Sequence, residues 1–280
     1  MLQRQAPRVL FIALLTFAIA ASAAADEARE EKRLMALALD GLLKGQARVQ
    51  RIVDPIRIAG APLCDEKLAP VLGIFAIDRG SFADFYETWY RGRGVFVEPF
   101  VDAAIEKFDL GKQPKVLQVV PGLAADRAGL KPGDVITAVG GRKVKRHLRL
   151  ERWANRNPGR STLELRVDRN GTPKDIEVDV EWGCAIEARF HLDSSWNAYR
   201  WFFGDLSGVY FNEGLLRAQP DDDKVALIGG HEIAHFILSS GSSERTEAEA
   251  DYLGLYLAAR AGYDISKAPE VWDERVRGNP

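Results

Sequence analysis

Two cysteines, four histidines and a net charge of only −2 are the scarcities that frame this 280-residue chain. A charge so close to balance excludes the basic surplus of a nucleic-acid binder. Low-complexity tracts and internal repeats are absent, so extended arrays are excluded as well. Length and composition suit one or two globular domains with a real core. Only one long apolar run exists, at 9–21, and it is too short to span a bilayer comfortably. Arg4 and Arg8 precede it, and the small residues Ala21, Ser22, Ala23, Ala24 and Ala25 follow. Residues 1–25 therefore read as a cleaved secretory signal. No cysteine follows to carry a lipid, so the mature protein is expected to be periplasmic or secreted, with no membrane span. In an exported chain a lone pair of cysteines is plausibly a disulfide, here Cys64–Cys184, with two buried thiols as the alternative.

What is present centres on residues 229–238, Gly-Gly-His-Glu-Ile-Ala-His-Phe-Ile-Leu. His231, Glu232 and His235 form an H-E-x-x-H pattern. On a helix, residues four apart share a face, so both histidines can point at one metal ion. These three are the only polar groups in an otherwise apolar stretch, and burying them unsatisfied would cost several kcal/mol. Glu232 adjoins the first ligand and could act on a metal-bound water as general base and then general acid. Downstream, Glu247 and Asp251 lie four apart on a second expected helix. A helix advances about 100° per residue, so Glu247 and Asp251 share a face while Glu249 points away. Glu244 falls in an expected loop. Ala250 and Gly254 are small enough to let the two helices approach closely.

The E-x-x-A-D-x-x-G run that follows H-E-x-x-H resembles the HtpX-like and CAAX-prenyl-protease-like zinc metallopeptidases. Residues 261–264 (Ala-Gly-Tyr-Asp), 196–199 (Trp-Asn-Ala-Tyr) and 208–216 carry the same resemblance, which covers 189–264. It implies zinc held by His231, His235 and Glu247, with Asp251 supporting a ligand histidine. It also implies a strand at Asn197 and Ala198 that pairs with the substrate backbone. The further His or Arg that the family places near its C-terminus is not visible before Pro280.

Earlier in the chain, 26–50 reads as a helix and 52–63 as strand-like, punctuated by Pro55 and Pro62. Residues 71–78 read as a strand, and 82–90 and 99–108 as helices. From 115 to 141 the chain closely resembles a bacterial-type PDZ domain. A strand at 115–120 leads to a short helix at 123–128 stopped by Gly129. A turn at 131–134, a strand at 135–139 and a return at Gly140-Gly141 follow. Residues 146–155 would wall the peptide groove, and 92–97 is a candidate carboxylate-binding loop. Strands at 163–168 and 175–180 flank Asn170-Gly171, a hairpin turn. His147 reads as a surface residue and His191 as a structural one on the strand 186–192. A strand at 208–212, a helix at 213–217 and acidic residues at 220–223 lead into the histidine helix.

The expected fold is α+β: a zincin-like metallopeptidase domain interrupted by a PDZ-like β-rich domain. Boundaries fall at 1–25 for the signal, 26–94 for the N-terminal helix and first part of the peptidase, 95–183 for the PDZ-like domain and 184–280 for the zinc domain. The expected function is zinc-dependent endoproteolysis of unfolded or extended polypeptides in the periplasm. One zinc would be bound per chain, and peptide C-termini would enter the PDZ groove. The alternative is a PDZ-based peptide-binding or chaperone-like module whose zinc site is structural.

Overall fold

The computed structural model describes residues 6–65, 67–90, 98–146, 148, 150–201, 208–238 and 244–276. It divides into two units, Met1–Asp40 and Gly41–Pro280. A single helix, α1 (Ala6–Gly60), supplies the described part of the first unit and opens the second. In the first unit it carries the exposed i,i+3 ion pairs Arg29–Asp26 and Arg33–Glu30. Among the described residues no helix is long and apolar enough to cross a membrane.

In the second unit α1 overrides the expected strand at 52–63. Val49, Ile52, Val53 and Ile56 are all buried, and their spacing is a helical stripe rather than a strand alternation. Pro55 sits inside the helix. Its lost hydrogen bond is outweighed by that stripe, since packing routinely overrides local propensity. A 3₁₀ turn, Ala61–Leu63, then delivers Cys64 to a disulfide with Cys184, with the two Cα atoms 5.5 Å apart.

The sheet region follows. β1 (Leu68–Pro70) and β2 (Ile74–Ile77) lead to α2 (Arg79–Tyr90) and α3 (Glu98–Phe108). β3 (Lys115–Val119), α4 (Ala124–Arg127), β4 (Val135–Val139), β5 (Arg142–Lys143) and α5 (Leu150–Ala154) come next, then β6 (Thr162–Arg169) and β7 (Thr172–Asp179). Strand order is β2-β3-β4-β6-β7, with β5 paired to β4. The sheet thus recruits Ile74–Ile77, upstream of the boundary expected at residue 95. Along β6 the inward residues Leu163, Leu165 and Val167 alternate with outward ones. They meet Val116, Ile136, Trp153 and Val178 in one core. Asn170 and Gly171 both adopt positive φ, 54° and 79°, as a two-residue hairpin between right-twisted strands requires. The groove helix is shorter than the expected 146–155. His147 and the loop candidate 92–97 lie outside the described residues.

β8 (Trp182–Cys184) returns antiparallel to β1, pairing Leu68 with Cys184. The disulfide therefore closes the base of the whole 64–184 segment. A second small sheet follows, built from β9 (Glu187–His191), β10 (Ala198–Trp201) and β11 (Gly208–Asn212) in the order β10-β11-β9. His191 is fully buried on β9 with its ring edge-on to Phe85, a structural place as expected. α6 (Glu213–Ala218), α7 (Asp222–Leu238), α8 (Glu244–Arg260) and α9 (Ala268–Val276) complete the chain. Arg48 on α1 ties down the α6–α7 junction. It donates to Asp222 at 2.9 Å and to the carbonyls of Leu216 at 2.6 Å and Gln219 at 2.5 Å.

Candidate metal centre

α7 begins at an acidic turn. Asp221 accepts from the Asp223 amide at 3.0 Å, one of the otherwise unpaired donors of a helix start. From there α7 runs buried through Val225, Ala226, Leu227, Ile233 and Ala234. α8 crosses it with backbone nearly touching backbone. A Cβ placed at Gly230 would lie 2.5 Å from the Gly254 carbonyl oxygen, and one at Gly254 would lie 2.6 Å from the His231 amide nitrogen. Glycine at both positions is what lets α8 reach the histidine face. The sequence pointed to Gly254 for this role, and Gly230 was the partner it missed.

At this crossing His231, His235 and Glu247 each bring one donor atom toward a common point. The two Nε2 atoms are 3.1 Å apart. Glu247 carboxylate oxygens lie 3.4 Å from His231 Nε2 and 3.3 Å from His235 Nε2. Donors at 2.0–2.1 Å from a tetrahedral zinc are separated by roughly 3.3 Å, so this triangle fits the edges of one metal coordination shell. The two imidazole nitrogens face each other at hydrogen-bond distance with the Glu247 carboxylate alongside, a donor set of two nitrogens and one carboxylate that could hold a divalent cation. Asp251 accepts from His231 Nδ1 at 2.7 Å. With the Nδ1 proton in that bond, a neutral His231 ring would present its Nε2 lone pair to the common point.

Both histidines are buried, while Glu247 and Asp251 are partly open to solvent. Glu232 is half-buried beside the first histidine and is not one of the three converging donors. Glu249 pairs with Arg245 at 2.9 Å on the exposed face, a surface role. Glu244 starts α8 rather than ending a loop.

Asn197 and Ala198 stand at one edge of the small sheet. The Asn197 carbonyl accepts from the Asn212 amide at 3.0 Å, and Ala198 pairs with Phe211. On the other side of β10 no further strand is present among the described residues. Along β10, Tyr199 stacks on Tyr210 at 5.6 Å. Arg200, the next residue, therefore turns to the opposite face, where burial lowers its pKa and the Glu232 carboxylate raises it. Sequence reasoning missed Arg200. Its approach to Glu232 depends on the β10–β11 register, and no local motif encodes that.

The comparisons with known proteins fall on the sheet region. A PDZ-domain family model matches residues 83–180, so the chain carries a PDZ domain within a mixed helix-and-sheet fold. The chain is 32% identical over 89 residues to a probable periplasmic serine endoprotease DegP-like of Hahella chejuensis, covering 31% of this chain and 19% of that one. It is 34% identical over 81 residues to the periplasmic pH-dependent serine endoprotease DegQ of Escherichia coli, covering 29% and 18%. It thus spans less than a fifth of these curated relatives. Among solved structures, the HtrA3 PDZ domain bound to a phage-derived ligand aligns at 16% identity and a TM-score of 0.27, covering 41% of this chain and 88% of that one. The HtrA-type protease AlgW with decapeptide aligns at 22% identity and a TM-score of 0.26, covering 41% and 30%.

These findings correct the expectation of a zinc-dependent metalloendopeptidase. The matched relatives are named serine endoproteases, and what they share with this chain is no zinc peptidase. The physical reason for the misreading is simple. Donor spacing on α7 and α8 encodes where an ion could sit, and the same three donors would serve equally an ion that only held two helices together. Spacing does not encode a reaction. What the comparisons support is a chain that carries a PDZ domain.

Proposed function

We propose that the protein is an exported peptide-binding protein. Its PDZ domain takes up extended polypeptide segments, C-termini among them, and a divalent ion staples α7 to α8. The observation that carries this reading is the PDZ match over residues 83–180. PDZ domains bind by adding a peptide strand to a sheet edge, with main-chain hydrogen bonds giving affinity and side-chain pockets giving specificity. The periplasmic relatives support an exported location, in keeping with the signal-like residues 1–25.

The ion is assigned to His231, His235 and Glu247, one per chain, with Asp251 fixing the His231 tautomer. Two nitrogens and one carboxylate suit zinc, which would act here as a cross-link between helices. Of the zincin-like domain expected from sequence, this reading keeps the ion-holding helix pair alone. β10, which begins at Ala198 just after Asn197, is an edge strand among the described residues and could take an extended chain as a second site.

The test uses the full chain, a dye-labelled decapeptide with an apolar C-terminus, fluorescence anisotropy, and metal analysis of the purified protein. Saturable peptide binding and one zinc per chain, lost in Glu247→Ala, are the expected results. Absence of peptide binding would overturn the reading. So would cleavage of the peptide by zinc-loaded protein that disappears in Glu232→Gln.

A further inference from the structure

At the β4–β5 end of the PDZ sheet, a cavity of about 520 Å³ opens between that hairpin and α5. Six cations line it: Arg142, Lys143, Lys145, Arg146, Arg152 and Arg156. They come from two separate stretches, one on and after β5 and one on and after α5. Among the described residues that line it there is no acid. Arg146 is already held by Asp84 at 2.6 Å. The other five have no acidic partner among the described residues. In a chain whose net charge is −2, this is a concentrated reversal of sign.

The cations stand over a packed apolar floor of Val139, Val144 and Trp153. Trp153 is buried, stacks on Trp182 at 6.1 Å and lies against Gly140, where an added Cβ would meet the indole Nε1 at 2.5 Å. Beyond α5 the backbone keeps turning. The Arg156 amide donates to the Trp153 carbonyl at 3.1 Å, and the Asn157 side chain donates to the same carbonyl at 2.9 Å. That turn holds Arg156 on the same side as Arg152, four residues earlier. A concave site lined by one sign of charge over low-dielectric walls focuses its field and concentrates counter-ions.

We propose that this cavity is a subsite for Asp and Glu side chains of the polypeptide held by the PDZ domain. The proposal rests on the peptide-binding reading and adds a preference for acidic sequence near the docked segment. Arginine forks match carboxylates in paired hydrogen bonds, and the indole floor accommodates the aliphatic part of such a side chain. A volume of this size accepts a few side chains, not a nucleic-acid duplex. The acidic balance of the rest of the chain also opposes a long polyanion.

Two dye-labelled decapeptides with the same apolar C-terminal residues test it, one carrying four Glu residues upstream and the other four Gln. With the full disulfide-bonded protein, anisotropy at low salt should show the acidic peptide binding about 10-fold tighter. That ratio should fall toward one at about 0.5 M salt, where exposed charges are screened. It should also collapse in R152E/R156E and, independently, in K143Q/K145Q on the β5 side. Circular dichroism and zinc content report whether each variant is folded. Equal affinity of the two peptides for the wild-type protein would overturn the subsite while leaving peptide binding intact. Binding of neither peptide would overturn both. A single-stranded oligonucleotide or an anionic phospholipid vesicle that binds more tightly than the acidic peptide would also overturn the proposal.

Discussion

The PDZ sheet and the α7–α8 pair are stabilised by different means. The sheet buries a contiguous apolar core, with Val116, Ile136, Leu163, Leu165, Val167 and Val178 at or near zero exposure. It would hold its shape with no ion present. The helix pair brings backbone against backbone at Gly230 and Gly254, and two buried histidines against an acid. Its apolar residues, Leu227, Leu257 and Ala258 among them, flank a polar centre where two histidines and two acids meet. One region can therefore vary its surface residues freely, and the other is constrained atom by atom at its crossing.

The sharpest way to break this contrast is Leu165→Ala. Removing a fully buried leucine should cost roughly 2–5 kcal/mol and abolish peptide binding. Zinc content should stay at one per chain; if zinc is lost as well, the two regions are one cooperative structure. The converse change is Gly254→Val. New carbon atoms would strike the His231 backbone, at about 3 kcal/mol, the upper end of ordinary overpacking. Metal analysis should show the ion lost while anisotropy shows peptide binding retained.

The two regions were also unequally legible in the sequence. Turn residues announced the sheet: Asn170-Gly171, Gly140-Gly141 and the alternation at 163–167 are local signals. His231 with His235, and Glu247 with Asp251, were legible as two pairs, because residues four apart share a helix face; that the two faces meet depends on the α7–α8 crossing. Asp54 and Arg57 show where local reading failed. They pair at 2.7 Å within α1, on either side of Pro55, the residue read as punctuation in a strand-like stretch. Long-range packing decided that segment. Arg200 beside Glu232 and Gly230 beneath Gly254 depend on how distant elements meet, which spacing along the chain does not carry. Function was the least legible, since an ion-binding pattern is compatible with chemistry or with a staple.

A smaller effect sharpens the account of the ion. Asp251→Asn keeps the shape of the side chain but weakens its hold on the His231 tautomer. Zinc affinity should fall about 10- to 100-fold in a competition titration, with the fold unchanged. Affinity equal to wild type would mean that Asp251 is a bystander.

The smallest effect concerns the entry to α7. Lys267 reaches Asp221 at 2.8 Å and Asp223 at 2.6 Å. Its hydrogen bond holds Asp221 below the usual carboxylate range, while the two carboxylates raise Lys267 above the usual lysine range. The Asp221 contribution is therefore complete above about pH 4 and is lost as pH falls through its lowered pKa. The Lys267 contribution is complete below its ordinary pKa of about 10.4 and is lost as pH rises through the raised value. Lys267→Met should lower the melting temperature slightly at neutral pH. That difference from wild type should shrink in strong acid, as melting curves across pH would show.

The Cys64–Cys184 link has a mechanical consequence. Force applied to the two ends of the chain would pass from Cys64 straight to Cys184, 120 positions along, and leave the residues between them unloaded. Roughly 400 Å of extensible contour would stay hidden in a single-molecule pull. It would appear only once a reductant opened the ring.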